Sequence, residues 1–505
     1  MSVLSALLQG FSVSFELQNL VAATVGVLVG TLTGVLPGLG SSSAMALLLP
    51  LSFGMDSTTA LIMLAGIFYG AMYGGSTTSI LVNVPGESSS VITCLDGYAM
   101  AKKGRAGAAL AIAAIGSFVA GTFGLIGLTL FAPPLAKIAL AFGPPEYLAI
   151  SILGLTVLPL LTGGSILKSV LMVFVGVMIG TIGLDPLTGV DRFTFGVDEL
   201  SRGIDFVILA MGVFGLGEVM SVLSDSTKEI TLQKVRFREL YPNWSELKRS
   251  IAPVFRGGFL GFLCGLIPGP AAVISTFFSY AVEKKLSKHP EEFGKGAVEG
   301  VAGPESANNA ATSGAMIPLL SLGLPFAPPT AILLSGFLIH GITPGPSLIN
   351  QHPNVFWGLI ASMYVGNVLL LIINLPLVGV FASLLKTPTN ILMPIIAVVT
   401  LTGAYAVNNS MVDLGLLIMM GIVGYAMRLA GYEPAPLAVG LILGPTIERS
   451  LTQALIMGNG SFGSLFVRPI SGTILGLAGV IVLYGVVKQI WNRMKANSLS
   501  GGLSA

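Results

Sequence analysis

Long apolar runs alternate with short polar interruptions along the whole chain. The first run spans about Leu17 to Leu36 and ends at Pro37-Gly38-Leu39-Gly40; three serines, Ser41 to Ser43, and a short apolar return to Phe53 follow. Asp56-Ser57-Thr58 then opens a helix, with Asp56 as its N-cap, and leads into the run Ala60 to Phe68. Further runs occupy about Ala106 to Phe131, Tyr147 to Leu161, Ile166 to Ile182 and Phe206 to Leu223. Later ones are Val355 to Leu385, Ile391 to Thr402, Leu414 to Met427, Leu437 to Leu443, Gly463 to Phe466 and Ile470 to Val487. The longer runs predict helices that cross a bilayer, at ~20 residues each. Val355 to Leu385 exceeds one span and holds Pro376, which predicts a kinked or extended helix.

The stretch Tyr69 to Glu87 continues an apolar run and is then expected to break its own helix. Gly74-Gly75 loosens the backbone, the hydroxyls of Ser76, Thr77, Thr78 and Ser79 follow, and Asn83-Val84-Pro85-Gly86 is a turn signal. Irregular backbone at membrane depth survives only when buried in protein or lining a watery cavity, and secondary carriers bind substrates and ions at such breaks. The plainer reading is a Gly/Ser-rich helix contact. The Pro-Gly turn adds nothing to such a contact and favours the break.

The second half repeats this plan. Gly30-x3-Gly34-x2-Pro37-Gly38 reappears as Gly261-x3-Gly265-x2-Pro268-Gly269, and Thr77-Thr78 to Asn83-Val84-Pro85 loosely matches Thr312-Ser313 to Gly323-Leu324-Pro325. Between the halves, Asp225 to Ser250 carries Lys228, Lys234, Arg236, Arg238, Lys248 and Arg249 against four acidic residues, a solvated linker whose basic excess places it in the cytoplasm. The expected division is a first membrane repeat over 1–224, the linker over 225–250, a second repeat over 251–495 and a disordered tail over 496–505. Lys284, Lys285, Lys288 and Lys295 follow the first break of the second half, whereas Phe53 to Ser57 has no Lys or Arg. After the second breaks the asymmetry reverses: Lys102, Lys103 and Arg105 against none from His340 to Asn354. Basic loops face the cytoplasm, so matching loops lie on opposite sides, the signature of an inverted repeat. The fold class expected is an all-α polytopic membrane protein of two inverted repeats, each with broken, re-entrant helical hairpins.

Composition agrees. The 505 residues are 53% hydrophobic and 10% charged, with mean hydropathy +0.88. That excludes a soluble globule and leaves room for about ten to fourteen membrane segments. A net charge of +2 gives no argument for nucleic acid. Cys94 and Cys264 form no disulfide or metal pattern, and Met1 to Gln18 lacks the basic start of a cleaved signal peptide. No nucleophile–base constellation or zinc spacing suggests an enzyme.

The run Tyr73 to Glu87, with Asp96-Gly97-Tyr98 behind it, resembles the large membrane subunit of tripartite tricarboxylate transporters. So do Gly303-Pro304-Glu305-Ser306-Ala307-Asn308-Asn309-Ala310-Ala311, followed by Ile317-Pro318-Leu319 and Leu322-Gly323-Leu324-Pro325, and the opening Gly34-x2-Pro37-Gly38-Leu39-Gly40. The resemblance covers essentially the whole chain. Phe326-Ala327 departs from it, where glycine and a small polar residue are expected, and this bears on substrate identity more than on fold. The resemblance implies uptake of citrate or a related carboxylate across the bacterial cytoplasmic (inner) membrane, driven by a sodium or proton gradient. It also implies a small four-helix membrane subunit and a periplasmic solute-binding protein as partners, and an elevator-like movement of the broken helices against a scaffold.

A carboxylate in a low-dielectric site can be held by Lys or Arg, or by helix N-termini and hydroxyls. Neither break contains Lys or Arg. The expected substrate contacts are therefore Ser41, Ser42, Ser43, Ser76, Thr77, Thr78, Asn308, Asn309, Thr312 and Ser313, with backbone N–H groups. Coupling-ion candidates are Gly38, Asn83, Glu87, Gly269, Glu305 and Gly323, from carbonyls at the breaks and the two carboxylates beside them. An isolated serine ordinarily bonds back to its own helix, and Glu87 and Glu305 are alternatively water-exposed hairpin ends. Arg428, Arg449 and Arg468 are the alternative ligands for the anion, but each lies near a segment end and is expected to snorkel, and His289, His340 and His352 are expected to be solvated in loops. A gated channel, or a membrane assembly subunit without its own transport site, is the alternative function; saturable, gradient-driven uptake separates them.

Overall fold

The apolar runs fold as helices. The computed structural model describes residues 2–36, 40–161, 165–185, 189–224, 241–384 and 409–483, with 393–394, 397–398, 400–402 and 404–405. Gly38, linker residues 225–240, most of the run from Ile391, and the tail over 496–505 lie outside the described residues. The first half contains α1 (Val3–Ser14), α2 (Leu17–Val35), α3 (Ser41–Leu48), α4 (Ser57–Val82), α5 (Val91–Met100), α6 (Ala106–Ala139), α7 (Pro144–Leu161) and α8 (Ile166–Gly180). A minimal antiparallel sheet, β1 (Gly183–Leu184) and β2 (Asp191–Arg192), sets Gly183 opposite Arg192. Then α9 (Phe206–Ala210) passes through a π-helical stretch, Met211–Leu216, into α10 (Gly217–Ser224). The second half contains α11 (Trp244–Gly265), α12 (Ala271–Leu286), α13 (Glu299–Leu322), α14 (Pro328–Ile339), α15 (Leu348–Gln351), α16 (Pro353–Leu384), α17 (Met411–Leu429) and α18 (Pro434–Met457). Asp56 caps α4 as expected, accepting from the Thr58 N–H at 2.9 Å. An Asn243/Glu246 capping box starts α11 inside the expected linker. Among the described residues, five helical segments are long and apolar enough to cross a membrane: Leu17–Val35, Ser57–Val82, Ser88–Ala139, Pro353–Asn374 and Met411–Leu429. Shorter apolar helices lie between them.

The two long helices that carry the clustered hydroxyls and amides, α4 and α13, are at the centre. Every residue from Thr59 to Leu81 of α4 and from Gly300 to Ser321 of α13 is buried. Facing hydrocarbon, their hydroxyls and amides would lack partners, so apolar helices surround them. Each is seated by a glycine-bearing helix. A Cβ on Gly30 of α2 would fall 2.4 Å from the Ile67 carbonyl oxygen, and one on Gly261 of α11 only 2.0 Å from that of Ala307. The repeated Gly-x3-Gly motif is thus the seat of α2 on α4 and of α11 on α13.

The breaks fall later than the sequence pattern suggests. α4 continues unbroken through Gly74-Gly75 and the hydroxyls to Val82, and ends at Asn83 in the left-handed region (φ 58°). Gly74 and Gly75 serve close approach instead: added Cβ atoms would fall 2.3 Å from the Thr31 oxygen and 2.7 Å from Glu87 Cβ. Asn308 to Ser313 likewise lie inside α13, which ends at Gly323 (φ 73°).

α6, α11, α12 and α16 pack around the central pair, while α7, α8, the π-containing segment, α17 and α18 form a second layer. In that layer a Cβ on Gly176 of α8 would meet the Leu437 oxygen of α18 at 2.1 Å. α3 and α14 touch both layers. The loops pair across the halves. Lys103 Nζ donates to the Lys295 carbonyl at 2.6 Å, Arg105 pairs with Glu246, and Arg249 pairs with Glu292 and Glu299 at 2.6 and 2.8 Å. The Arg249 guanidinium holds the Glu292 carboxyl below the usual carboxylate range. On the other loops, His340, which follows α14, meets the backbone of Ser52 within electrostatic reach of Asp56.

Candidate functional site

Each break ends one helix and begins another, and the new helices begin at one cavity of about 1000 Å³. Gly40 to Ser43 bring the start of α3, Ser88 and Ser89 the approach to α5, Pro270 to Ile274 the start of α12, and Ala327 to Pro329 the start of α14. The second layer adds Phe214, Glu218, Arg428 and the start of α18 at Glu433 to Ala435. First turns of helices carry the positive end of the helix dipole, so their convergence favours an anion, although Pro270, Pro328, Pro329 and Pro434 bring no N–H to this wall and the Ser41 N–H is taken by Glu87.

Each half ties its two breaks together. Glu87 accepts from the Ser41 N–H at 2.9 Å and the Ser41 hydroxyl at 2.7 Å. In the second half the Gly269 N–H donates to the Phe326 carbonyl at 2.8 Å, from a φ of 137° that L side chains rarely adopt. The Ser43 hydroxyl donates to the Phe214 carbonyl at 2.8 Å, within the π-helical stretch, where the altered ladder leaves carbonyls for side chains.

Arg428 does not snorkel. It pairs with Glu218 at 2.5 Å, with the two side chains 19% and 16% exposed, and its Nε is buried without a hydrogen-bond partner among the described residues. Its position near the end of α17 is covered by the π-helical stretch, which keeps it in the cavity wall. Arg468 reaches the buried Glu146 at 2.9 Å, and Arg449 is exposed. His340 is not fully solvated: its Nε2 is buried and unpartnered.

The candidate residues divide between two places. Ser41, Ser42, Ser43, Glu87 and Thr312 line the large cavity. Ser76 and Asn308 meet elsewhere, on Glu305, a fully buried carboxylate inside α13 and not a hairpin end. Glu305 accepts from Ser76 at 2.5 Å, from Thr93, and from Asn308 at 3.4 Å. Asn309 donates to the Ser117 hydroxyl at 2.8 Å, and Ser76 and Thr77 line a small cavity beside it. Thr78 and Ser313 bond back to their own helices, through Gly75 O at 3.0 Å and Asn309 O at 3.5 Å. Asn83 is exposed at the end of α4, and Gly323 packs toward the Pro344 carbonyl.

Sequence reasoning missed Asp96 as a structural centre. It is fully buried and accepts from the Gly294, Gly296 and Ala297 N–H groups at 2.9, 2.7 and 2.8 Å and from the Tyr280 hydroxyl at 2.9 Å. It thereby fixes the loop that feeds α13. The Asp96-Gly97-Tyr98 motif was the available signal. Thr93, Asn374 and Glu218 carried none, and Arg428 was read only as an alternative anion ligand expected to snorkel, because each matters through groups far away in sequence.

A model of the tripartite tricarboxylate transporter TctA family matches residues 20–439, which include both central helices and all four breaks. The chain belongs to this family. It is 49% identical over 485 residues, 95% of this chain and 96% of the relative, to an uncharacterized 52.8 kDa protein in the TAR-I ttuC' 3' region of Agrobacterium vitis. It is also 46% identical over 230 residues, 46% of this chain and 95% of the relative, to an uncharacterized protein in the TAR-II ttuC' 3' region of the same organism. No solved structure matches. TctA membership makes the chain a membrane transporter component and not an enzyme.

Proposed function

We propose that this chain is the large transmembrane subunit of a binding-protein-dependent secondary transporter that takes up a tricarboxylate or related carboxylate, driven by a sodium or proton gradient. The observation that carries this reading is the single cavity on which helix starts from both halves converge, with Arg428 in its wall. Paired breaks with N-termini aimed at one anion site are how carriers bind carboxylates at membrane depth. The Ser41–Glu87 bond ties the start of α3 to the same wall, and Thr312, whose hydroxyl donates to the Asn308 carbonyl at 3.0 Å, lines it from α13.

Two inverted repeats are the arrangement we infer behind it. The seats of α2 on α4 and α11 on α13 support this, as do the left-handed ends of α4 and α13 and the contact of Lys103 with the Lys295 carbonyl across the halves. Their basic residues put the Lys102–Arg105 and Lys284–Lys295 loops in the cytoplasm. The central block would move against the second layer in an elevator-like step. The partners are a small four-helix membrane subunit and a periplasmic solute-binding protein.

Vesicles containing this chain, the small subunit and the binding protein test the reading under imposed gradients of sodium or protons. Saturable uptake from a panel of carboxylates, lost when the gradient is dissipated or the binding protein omitted, is the expected result. Non-saturating conduction would make the chain a channel. Uptake of no carboxylate under any gradient would leave it an assembly subunit.

A further inference from the structure

A second cavity, of about 20 Å³, lies where α4, α6 and α16 meet. One water-sized occupant needs only about 10–15 Å³ of such volume. Its polar wall is Tyr73, Ser76 and Thr77 from α4, Ser117 from α6 and Asn374 from α16, all with side-chain oxygen. Asn374 is 7% exposed, and its amide nitrogen donates to the Leu370 carbonyl at 2.9 Å. Its Oδ1 is buried with no hydrogen-bond partner among the described residues. A buried orphan acceptor in a native fold calls for a ligand or a donor. Ser76 spends its proton on Glu305, which leaves its oxygen lone pairs toward the cavity.

Glu305 supplies the charge. It is fully buried, its bonded partners are Ser76, Thr93 and Asn308, and the titratable groups facing it are Tyr73 and Cys94. No basic side chain pairs with it among the described residues. A buried carboxylate without a counter-charge is unfavourable unless something neutralises it. Neutral oxygen donors beside one carboxylate suit a hard monovalent cation; calcium or magnesium would draw on more carboxylates or waters.

We propose that a sodium ion binds among Tyr73, Ser76, Thr77, Ser117 and Asn374 and balances Glu305 through the Ser76 hydroxyl. The ion's role in coupling rests on the transport reading above; its binding does not.

Equilibrium binding of radioactive sodium to the purified full chain tests this, with folding followed by gel filtration and thermal melting. The wild type should bind sodium saturably, and sodium should raise its melting temperature. Asn374→Ala, which deletes the orphan oxygen, should weaken binding about tenfold or more. Thr77→Val, nearly isosteric and therefore expected to fold, should weaken it in the same direction. Asn374→Asp, which keeps an oxygen, should retain binding. Absence of saturable binding, or wild-type affinity in Thr77→Val and Asn374→Ala, overturns the site in favour of a lone structural water. Uptake measured on the same preparations separates the two claims. Sodium binding without carboxylate uptake would keep the site and remove the transport reading. Carboxylate uptake without sodium binding would do the reverse.

Discussion

The Arg428–Glu218 pair separates holding the fold from holding an anion. Both side chains are about four-fifths buried and lie 2.5 Å apart at the cavity wall. Removing one partner of a buried pair strands the other charge, at about 3–5 kcal/mol. The partial exposure here places the loss for Arg428→Gln near the lower end, about 3 kcal/mol. The double variant Glu218→Gln with Arg428→Gln strands no charge and should recover most of that stability, because two amides of similar volume can bond to each other. Transport should behave differently. A charge-assisted bond from Arg428 to a bound carboxylate contributes about 1.5–3 kcal/mol, roughly tenfold to a hundredfold in apparent affinity. The double variant should therefore fold yet take up carboxylate with at least tenfold weaker affinity. Glu218→Gln alone leaves Arg428 unpaired beside the cavity, so carboxylate should raise its melting temperature more than that of the wild type. Thermal melting and vesicle uptake on the four proteins of this cycle are sufficient. Wild-type affinity in a well-folded double variant would refute the anion role and leave Arg428 as a structural partner of Glu218.

Three further outcomes follow from the packing. Asp96→Ala leaves three backbone N–H groups and the Tyr280 hydroxyl without their acceptor, at about 1–3 kcal/mol for each buried group, so the folded protein should be lost on gel filtration. Asp96→Asn, keeping one acceptor oxygen, should fall between it and the wild type. Gly261→Val places a side chain where even a Cβ would lie 2.0 Å from the Ala307 oxygen, and should lower the melting temperature strongly, whereas a valine at Gly415, where a Cβ meets nothing within 4 Å, should not. With Cys94 and Cys264 replaced, an impermeant thiol reagent outside intact cells should label Ser57→Cys and spare Ser287→Cys; equal labelling from one side would remove the inverted repeat.

Much of the helical layout was legible because its signals are local. The run Leu17 to Leu36 became α2, and the Asp56 cap and the helix at Val355 to Leu385 stand close to where the pattern put them. The exact site of each break was not legible. Gly-Gly followed by hydroxyls reads as helix weakness when the partner is unknown, but in the fold those glycines admit Thr31 and Glu87, Ser76 bonds to Glu305, Thr78 and Ser79 bond within the helix, and Thr77 faces the small cavity. The left-handed Asn83 and Gly323 were visible as turn residues, and they mark the real breaks. The division of the candidate list into an open cavity and a sealed cluster was not legible, since it depends on which face of α4 meets α13. Arg428 was misjudged for a related reason: position in a segment predicts snorkelling only where no neighbouring helix covers the segment's end.

The charges around the large cavity bear on coupling. Among the described residues, Glu87, Glu218 and Glu433 line it against one cation, Arg428. Glu87 is held by Ser41 at the start of α3, Glu218 by Arg428, and Glu433 stands as the N-cap of α18, so each carboxylate already occupies a favourable donor or helix end. A multiply charged anion entering this wall meets positive potential from helix termini, each equivalent to roughly half an elementary charge, and a net negative set of side chains. Helix ends alone offset only part of that repulsion. The proposed cargo therefore has to arrive with cations or protons, or neutralise carboxylates of the wall as it binds. The cation proposed among α4, α6 and α16 would serve that requirement: it would balance Glu305 within the central block, and it would link occupancy of one site to the electrostatics of the other.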